Sequence, residues 1–208
     1  MSEASRLILA THNAHKVVEL REILAAAVPA LANLTVVSAA DVAAPEPVED
    51  GATFAQNALI KARAIVELTG ECAVADDSGL CVDVMGGAPG IFSARWCGRH
   101  GDDRANLELL LAQLSDTPAR HRRARFVCAA ALVTPGGEEY VRSGELVGTL
   151  LERPVGSGGF GYDPILQPEG DTRSLAQLDA AEKNAISHRG RALRALAPQI
   201  GAAFGVGA

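Results

Sequence analysis

Two adjacent aspartates, Asp76 and Asp77, directly follow the apolar run Ala73-Val74-Ala75. A short apolar run of this kind indicates a buried strand, and side chains alternate along a strand, so the two carboxylates point to opposite sides of it. One can face a ligand while the other supports the structure. Carboxylate oxygens suit magnesium, which takes one or two of them together with water and substrate phosphates. The pair therefore favours a magnesium site where this strand ends.

A second source of carboxylates is the segment Glu46-Pro47-Val48-Glu49-Asp50, which lies just before a predicted helix. For an acidic loop taken alone, a solvated surface is the usual explanation. Together with Asp76 and Asp77, however, the segment makes a metal site more plausible than either cluster does separately.

The loop Thr11-His12-Asn13-Ala14-His15-Lys16 joins a predicted buried strand to a predicted helix. Its backbone amides, the Thr11 hydroxyl, the Asn13 amide and the Lys16 ammonium could converge on phosphate oxygens, because a helix N-terminus attracts anions. An ordinary helix cap with a solvated lysine is the alternative. No GxxxxGK[ST] phosphate loop occurs in the sequence.

A glycine-rich segment, Gly156-Ser157-Gly158-Gly159-Phe160-Gly161, matches the GxGxxG pattern of dinucleotide-binding proteins. That pattern should follow a strand and open a helix, whereas this segment runs directly into Tyr162-Asp163-Pro164, so a nicotinamide site is disfavoured. The glycines would instead let backbone amides approach a flat base, with Phe160 or Tyr162 available to stack on it. A plain surface turn is the other interpretation.

Three basic side chains, Lys183, His188 and Arg189, lie within a short stretch near the start of the last predicted helix. Such a group can form an edge that recognises an anion or a base, although a His-Arg pair is also a common surface feature. No GxSxG elbow accompanies them, which argues against a covalent serine hydrolase.

Hydrophobic periodicity predicts an α/β protein with a mixed sheet. The length of 208 residues fits a single domain over residues 1–208, or two closely merged lobes. Thr53 and Gln56 form a capping-box pattern at the start of the second helix. Pro198 is expected to bend or break the last helix. The predicted strands are 7–10, 34–37, 72–75, 80–85 and a hairpin of 124–133 with 138–151, and the predicted helices are 16–28, 54–68, 104–114 and 190–203.

Composition narrows the classes of function. The formal net charge of −6 over 208 residues argues against wholesale nucleic-acid binding. No apolar run approaches the roughly 20 residues that span a bilayer, and no signal peptide is evident, so a cytoplasmic protein without membrane contact is expected. The four cysteines lack metal-site spacing and are interpreted as buried free thiols.

Five collinear segments resemble the inosine triphosphate pyrophosphatase family, whose bacterial members hydrolyse deoxyinosine and xanthosine triphosphates. The segments are LATHNAHK, EDGATFAQNALIKA, ADDSGLCVDVMGGAPGIFSARW, GFGYDPI and AEKNAISHRGRAL, and the resemblance extends over nearly the whole chain. Arg173-Ser174-Leu175 departs from the family pattern, which affects only local packing. The resemblance implies an elongated mixed sheet with flanking helices, an active-site cleft between two lobes, and a homodimer.

The resemblance also implies the chemistry: Mg²⁺-dependent hydrolysis of ITP, dITP or XTP to the monophosphate and pyrophosphate. Asp77 matches the residue that activates water, and Glu49 and Asp77 match the magnesium ligands. The division of labour between Asp76 and Asp77 stays open, and a nucleotide-binding module without catalysis is the competing class. The implied substrate contacts are Thr11, His12, Asn13, Ala14, His15, Lys16, Lys61, Ser78, Phe160, Gly161, Tyr162, Asp163, Lys183, His188 and Arg189.

Overall fold

The computed structural model describes residues 6–206, and it has the mixed α/β fold that the sequence predicts. Helices separate the first three strands, and a hairpin follows. In chain order the elements are β1 (Arg6–Leu9), α1 (Ala14–Ala27), β2 (Thr35–Ser38), α2 (Phe54–Thr69), β3 (Cys72–Val82), α3 (Asp103–Gln113), β4 (Arg123–Val133), β5 (Glu139–Leu150), β6 (Leu166–Pro168), α4 (Ala180–Ile186) and α5 (His188–Ala203).

The strands form one six-stranded sheet in the order β2-β1-β3-β4-β5-β6. The short strand β1 pairs in parallel with both β2 and β3, with Leu9 opposite Val74. At the other edge β5 pairs antiparallel with β6. The sheet is therefore mixed, as the alternation of predicted elements followed by a hairpin indicates.

The described chain divides into two compact units. The first comprises residues 6–77, 128–144 and 189–206, and the second comprises residues 78–127 and 145–188. Each unit has its own apolar core. In the first unit β1, α1 and α5 contribute buried side chains that include Leu7, Leu20 and Leu196. In the second unit the core includes Leu80, Leu110, Leu150, Ile165 and Leu166.

The region around the two aspartates differs from the prediction. Instead of two strands separated by a polar loop, β3 runs unbroken from Cys72 to Val82, and a 3₁₀ turn, Asp83–Met85, follows it. The polar residues of this segment are typical of a loop between two strands. Strand formation also depends on the neighbouring strand, however, and the neighbour of β3 is β4, which is 11 residues long. Asp76 and Asp77 therefore lie inside a long strand and not at its end.

The C-terminal helices also differ in part. Helix α4 was not predicted; Asp179 caps it, and the Glu182 side chain completes a capping box. Helix α5 begins at His188 and continues through Pro198, so the expected break does not occur. Within residues 6–206, no helix has both the length and the apolar character needed to cross a membrane.

All four cysteines are free, as expected, but only two of them are buried. Cys81 and Cys128 lie in the interior, whereas Cys72 and Cys97 are partly exposed.

Candidate active site

The position of the two aspartates follows from the unequal lengths of neighbouring strands. Strand β1 ends at Leu9, which lies opposite Val74, so β3 continues past the end of β1. Asp76 and Asp77 occupy this continuation, and alternation turns their side chains to opposite faces. The Asp76 side chain is only 5% exposed, and that of Asp77 is 15% exposed.

Asp76 forms ion pairs with two basic side chains. The Lys16 ammonium donates to both carboxylate oxygens, at 3.1 and 3.2 Å, and Arg189 Nε donates to Oδ2 at 3.0 Å. Burial by itself would raise the pKa of the Asp76 carboxyl, but the charges of Lys16, Arg189 and Lys61 outweigh that effect and hold the pKa well below its usual range. Asp76 is thus ionised and fully engaged by protein groups.

Asp77 has a different set of neighbours. Asn57 Nδ2 donates to Asp77 Oδ2 at 3.0 Å, and the Lys61 ammonium lies 3.8 Å from Asp77 Oδ1. The same ammonium is 2.9 Å from Glu49 Oε1. Lys61 therefore joins the two carboxylates that the sequence assigns to magnesium.

The acidic segment before α2 is divided between two environments. Glu49 is partly buried and paired with Lys61, whereas the side chain of Glu46 is 82% exposed and lies 3.1 Å from His12 Nδ1. The surface explanation therefore suits Glu46, and the metal explanation suits Glu49.

The donor set of Glu49 and Asp77 fits magnesium chemically. Both are hard oxygen donors, and both already contact one cationic group, the Lys61 ammonium. Across residues 6–206 no group of three or more His, Cys, Asp or Glu side chains is arranged to hold a metal. Two carboxylates completed by water and substrate phosphates are the kind of set that magnesium prefers over an all-protein cage.

The loop before α1 combines features of both interpretations of the sequence. Asn13 is the helix N-cap, accepting from His15 N at 2.9 Å, and Thr11 Oγ1 accepts from Asn13 N at 3.1 Å. This is the ordinary cap that was one alternative. Lys16, however, is not a solvated lysine, because Asp76 holds its ammonium beside the first turn of the helix. A cation fixed at a helix N-terminus suits an anionic ligand.

In the second unit, the glycine-rich loop is organised around Asp163. This buried carboxylate accepts from Phe160 N at 2.8 Å and from Lys183 Nζ at 2.5 Å, and the Lys183 ammonium lies 4.5 Å from the centre of the Phe160 ring. Gly159 has φ +72°, and a Cβ there would lie 2.2 Å from Asp163 Oδ2. The loop therefore needs glycine at this position for local reasons.

The dinucleotide pattern does not have the structural context it requires. The loop is followed by a 3₁₀ turn, Asp163–Ile165, and not by the helix of a βαβ unit. At Gly158 a Cβ would lie 2.9 Å from the carbonyl oxygen of Ala176, so close backbone packing accounts for another of the glycines.

The two aromatic rings of this loop have different exposures. Phe160 is 66% exposed, whereas Tyr162 is buried and its hydroxyl donates to the carbonyl of Ser93 at 2.9 Å. Burial also raises the pKa of the Tyr162 hydroxyl. Of the two rings that the sequence offers for stacking, Phe160 is therefore the available one.

The remaining predicted residues lie at the start of α5 and in β3. The His188 ring stacks on Phe126 with centroids 5.1 Å apart, in the second unit. Arg189, predicted on the base side, contacts Asp76 in the first unit. Ser78 directly follows Asp77 in β3 and is partly buried.

Two polar residues of these sites were missed by the sequence analysis. Asn57 is 1% exposed, its carbonyl oxygen accepts from Gly51 N at 2.9 Å, and its amide holds Asp77. Its spacing of four from Lys61 on one helix was the available signal. Asp103 accepts from Gly161 N at 2.9 Å, and nothing in the local sequence pointed to that contact.

A family model provides the decisive comparison: the one described as "Ham1 family" matches residues 7–199. The chain belongs to the Ham1 family. This confirms the resemblance to inosine triphosphate pyrophosphatases that the five sequence segments carry.

Similar proteins of the Ham1 family cover almost the whole chain. A dITP/XTP pyrophosphatase of Streptomyces coelicolor is 63% identical over 196 residues, which are 94% of this chain and 97% of that protein. A crystal structure of a nucleoside-triphosphatase / dITP/XTP pyrophosphatase from Mycobacterium abscessus matches with a TM-score of 0.78 and 52% identity, covering 93% of this chain and 99% of that one. A HAM1 protein from Coxiella burnetii matches with a TM-score of 0.86 and 35% identity, covering 94% and 98% of the two chains.

Proposed function

We propose that this Ham1-family chain hydrolyses ITP, dITP and XTP to the nucleoside monophosphate and pyrophosphate, and so removes non-standard purine nucleotides. The observation that carries the proposal is the arrangement of Asp77: Asn57 orients its carboxylate, and Lys61 joins it to Glu49. The dITP/XTP pyrophosphatase of Streptomyces coelicolor, 63% identical, supports the same activity.

Glu49 and Asp77 would hold Mg²⁺. The bound ion would supply Lewis-acid stabilisation of the negative charge that develops on the leaving pyrophosphate. The Lys61 ammonium, which lies beside both carboxylates in the structure, would interact with the phosphates when the site is loaded.

Asp77 would orient the attacking water and accept its proton as the water attacks the α-phosphorus. Asn57 donates to Oδ2 of this carboxylate and so fixes its orientation. Lys16, fixed beside the first turn of α1, would neutralise the polyphosphate together with the amides of the loop from Thr11.

For recognition of the base we propose the residues that the family resemblance implies: Phe160, Lys183, His188 and Arg189. The exposed Phe160 ring would stack on the purine, with Lys183 held close to it by Asp163. His188 and Arg189 would donate to the six-position oxygen of hypoxanthine or xanthine, because the Phe160 and Gly161 amides already donate to Asp163 and Asp103. Adenine carries an amino group there, so these donors would be left unpaired and ATP would be rejected.

One assay tests the proposed function directly. The protein is incubated with Mg²⁺ and a panel of ITP, dITP, XTP, ATP and GTP, and pyrophosphate, single phosphate and monophosphate are measured separately. We expect pyrophosphate from the first three substrates with much higher kcat/KM than from ATP or GTP. Binding without cleavage would identify the competing class of nucleotide-binding module, and release of single phosphates would identify a phosphohydrolase.

We further propose that the chain works as a cytoplasmic homodimer without nucleic acid or membrane partners. The acidic net charge of −6 supports the absence of a nucleic-acid partner. The exposed side chains of Val84 and Phe92, 54% and 50% accessible, are available to a second copy. Light scattering on the purified protein should give twice the mass of one chain.

A further inference from the structure

Asp76 connects the first turns of two helices. Lys16 is in the first turn of α1, and Arg189 is in the first turn of α5. Their cationic groups meet on one carboxylate, with nitrogen to oxygen distances between 3.0 and 3.2 Å. A buried carboxylate is unfavourable unless it is paired and hydrogen-bonded, and these contacts satisfy both requirements.

Asp76 has no place in the proposed reaction itself. Strand alternation turns it away from Asp77, and its carboxylate is engaged by Lys16 and Arg189, whereas the carboxylates assigned to magnesium contact Lys61. A further acidic side chain, the half-buried Glu19, interacts with the same cations. The group is therefore a network of charges that sits behind the reacting carboxylate.

We propose that Asp76 is a positioning residue for the phosphate-binding cation, holding Lys16 in place and coupling it to Arg189. The inference rests on the proposed function, because it takes Lys16 as a ligand of the substrate phosphates. Arg189 then influences phosphate binding through Asp76, in addition to any contact with the base.

Positioning and simple charge predict opposite results when Asp76 is neutralised. A charge effect alone would tighten the binding of an anion, since replacing Asp76 removes one negative charge and leaves two cations uncompensated. Positioning predicts weaker binding, because the Lys16 ammonium loses the group that fixes its location. The flexible lysine side chain then loses conformational entropy when the anion binds. The sign of the change therefore decides between them.

The test uses inorganic tripolyphosphate, which has the phosphates of the substrate and no base. Its affinity in the presence of Mg²⁺ is measured by calorimetry for the wild-type protein, Asp76→Asn and Asp76→Glu. We expect about a tenfold loss of affinity in Asp76→Asn and a smaller loss in Asp76→Glu, which keeps the charge. Glu139→Gln, which breaks the ion pair with Arg63 elsewhere in the first unit, is the matched control and should bind as the wild type does. Unchanged or tighter binding by Asp76→Asn would overturn the proposal.

Arg189→Lys provides a second test, which does not depend on the folding of the Asp76 variants. The substitution keeps the positive charge but loses the Nε contact with Asp76, so simple charge predicts an unchanged affinity for tripolyphosphate, whereas coupling through Asp76 predicts about a threefold loss. An unchanged affinity would contradict the coupling.

Steady-state kinetics on dITP add a third readout: Asp76→Asn should raise KM more than it lowers kcat, and equal losses in kcat and kcat/KM would contradict positioning. If the wild-type protein binds tripolyphosphate but releases no pyrophosphate from any triphosphate, the proposed function fails while these affinities still test the role of Asp76.

Discussion

At the scale of single residues, two identical side chains next to each other have different environments. Asp76 is enclosed by Lys16 and Arg189, while Asp77 is oriented by an amide and lies beside the Lys61 ammonium. The difference arises because alternation along β3 directs the two carboxylates to opposite faces. We therefore propose a supporting role for Asp76 and the role of general base for Asp77.

Asp77→Asn tests the proposed base. The substitution keeps the size of the side chain but removes its ability to accept a proton, so kcat on dITP should fall by about 10² to 10⁴-fold. Thermal unfolding should change little, because an amide can retain a contact with Asn57. Asp50→Asn, in the exposed part of the same acidic segment, is the control and should keep wild-type turnover. Near-wild-type pyrophosphate release by Asp77→Asn would show that another group activates the water.

Lys61→Met tests the link between the two proposed metal ligands. Lys61 contacts Glu49 and Asp77 and would compete with the proposed metal for them, so its loss should lower the Mg²⁺ concentration for half-maximal activity. At the same time kcat/KM should fall about tenfold, since one cation that neutralises the phosphates is gone. Lys16→Met is the comparison: it should raise KM for dITP without tightening Mg²⁺. A higher Mg²⁺ requirement in Lys61→Met would contradict the assignment.

At the scale of elements, the glycine-rich loop of the second unit depends on one close approach. Gly159 adopts a left-handed backbone conformation and lies against the Asp163 carboxylate that also holds Phe160 N and Lys183. Asp103, in the first turn of α3, accepts from the next amide at Gly161. The loop is thus shaped by carboxylates before any ligand binds.

Gly159→Ala should disturb this loop. The backbone strain costs about 1–3 kcal/mol, and the added Cβ would meet Asp163 Oδ2 at 2.2 Å. We expect a higher KM for dITP and an unchanged affinity for tripolyphosphate, which lacks the base. Gly137→Ala is the control, because Gly137 has φ +85° in the hairpin turn but no atom within 4 Å of the added Cβ. Equal effects of both variants on KM would mean that strain in general, and not this contact, is responsible.

At the scale of the whole molecule, the depressed pKa of Asp76 links stability to pH. A carboxyl whose pKa is lower in the folded state binds fewer protons there, so folding gains stability above the pKa of the unfolded chain, about 3.9. That contribution is lost as the pH falls from about 4 toward the lower pKa of the folded state.

Chemical denaturation between pH 7 and pH 2.5 measures this contribution. At pH 7, Asp76→Asn should unfold with a free energy about 3 kcal/mol below that of the wild type, and the two curves should converge as the pH falls below 4. Asp171→Asn is the comparison, because Arg173 lowers the pKa of Asp171 to about 2 but the pair lies at the surface. Its effect should be small and weakened by salt. A constant difference between wild type and Asp76→Asn across the whole pH range would contradict the assignment.

Most of the elements, and the residue types at the candidate sites, could be predicted from local signals in the sequence. Local signals were sufficient for α2, where Thr53 accepts from Gln56 N and Gly70 ends the helix with φ +70°, and for the hairpin around Gly137. Those signals act over a few residues, so they can be recognised in the linear chain. The five segments were also sufficient to identify the family, which the match over residues 7–199 confirms.

Which of these groups lie in contact depends on how the chain packs. The polar run through Asp76 and Asp77 resembles a loop in sequence, yet it lies inside β3, whose neighbour in the sheet is β4. The contacts of Asp76 with Lys16, 60 positions away, and with Arg189, 113 positions away, arise when α1 and α5 pack in one core. The burial of Tyr162 and the hydrogen bond from Asn57 to Asp77 likewise arise from packing between residues that are distant in sequence. Contacts between distant residues depend on packing and burial, and these are properties of the folded chain that local spacing does not encode.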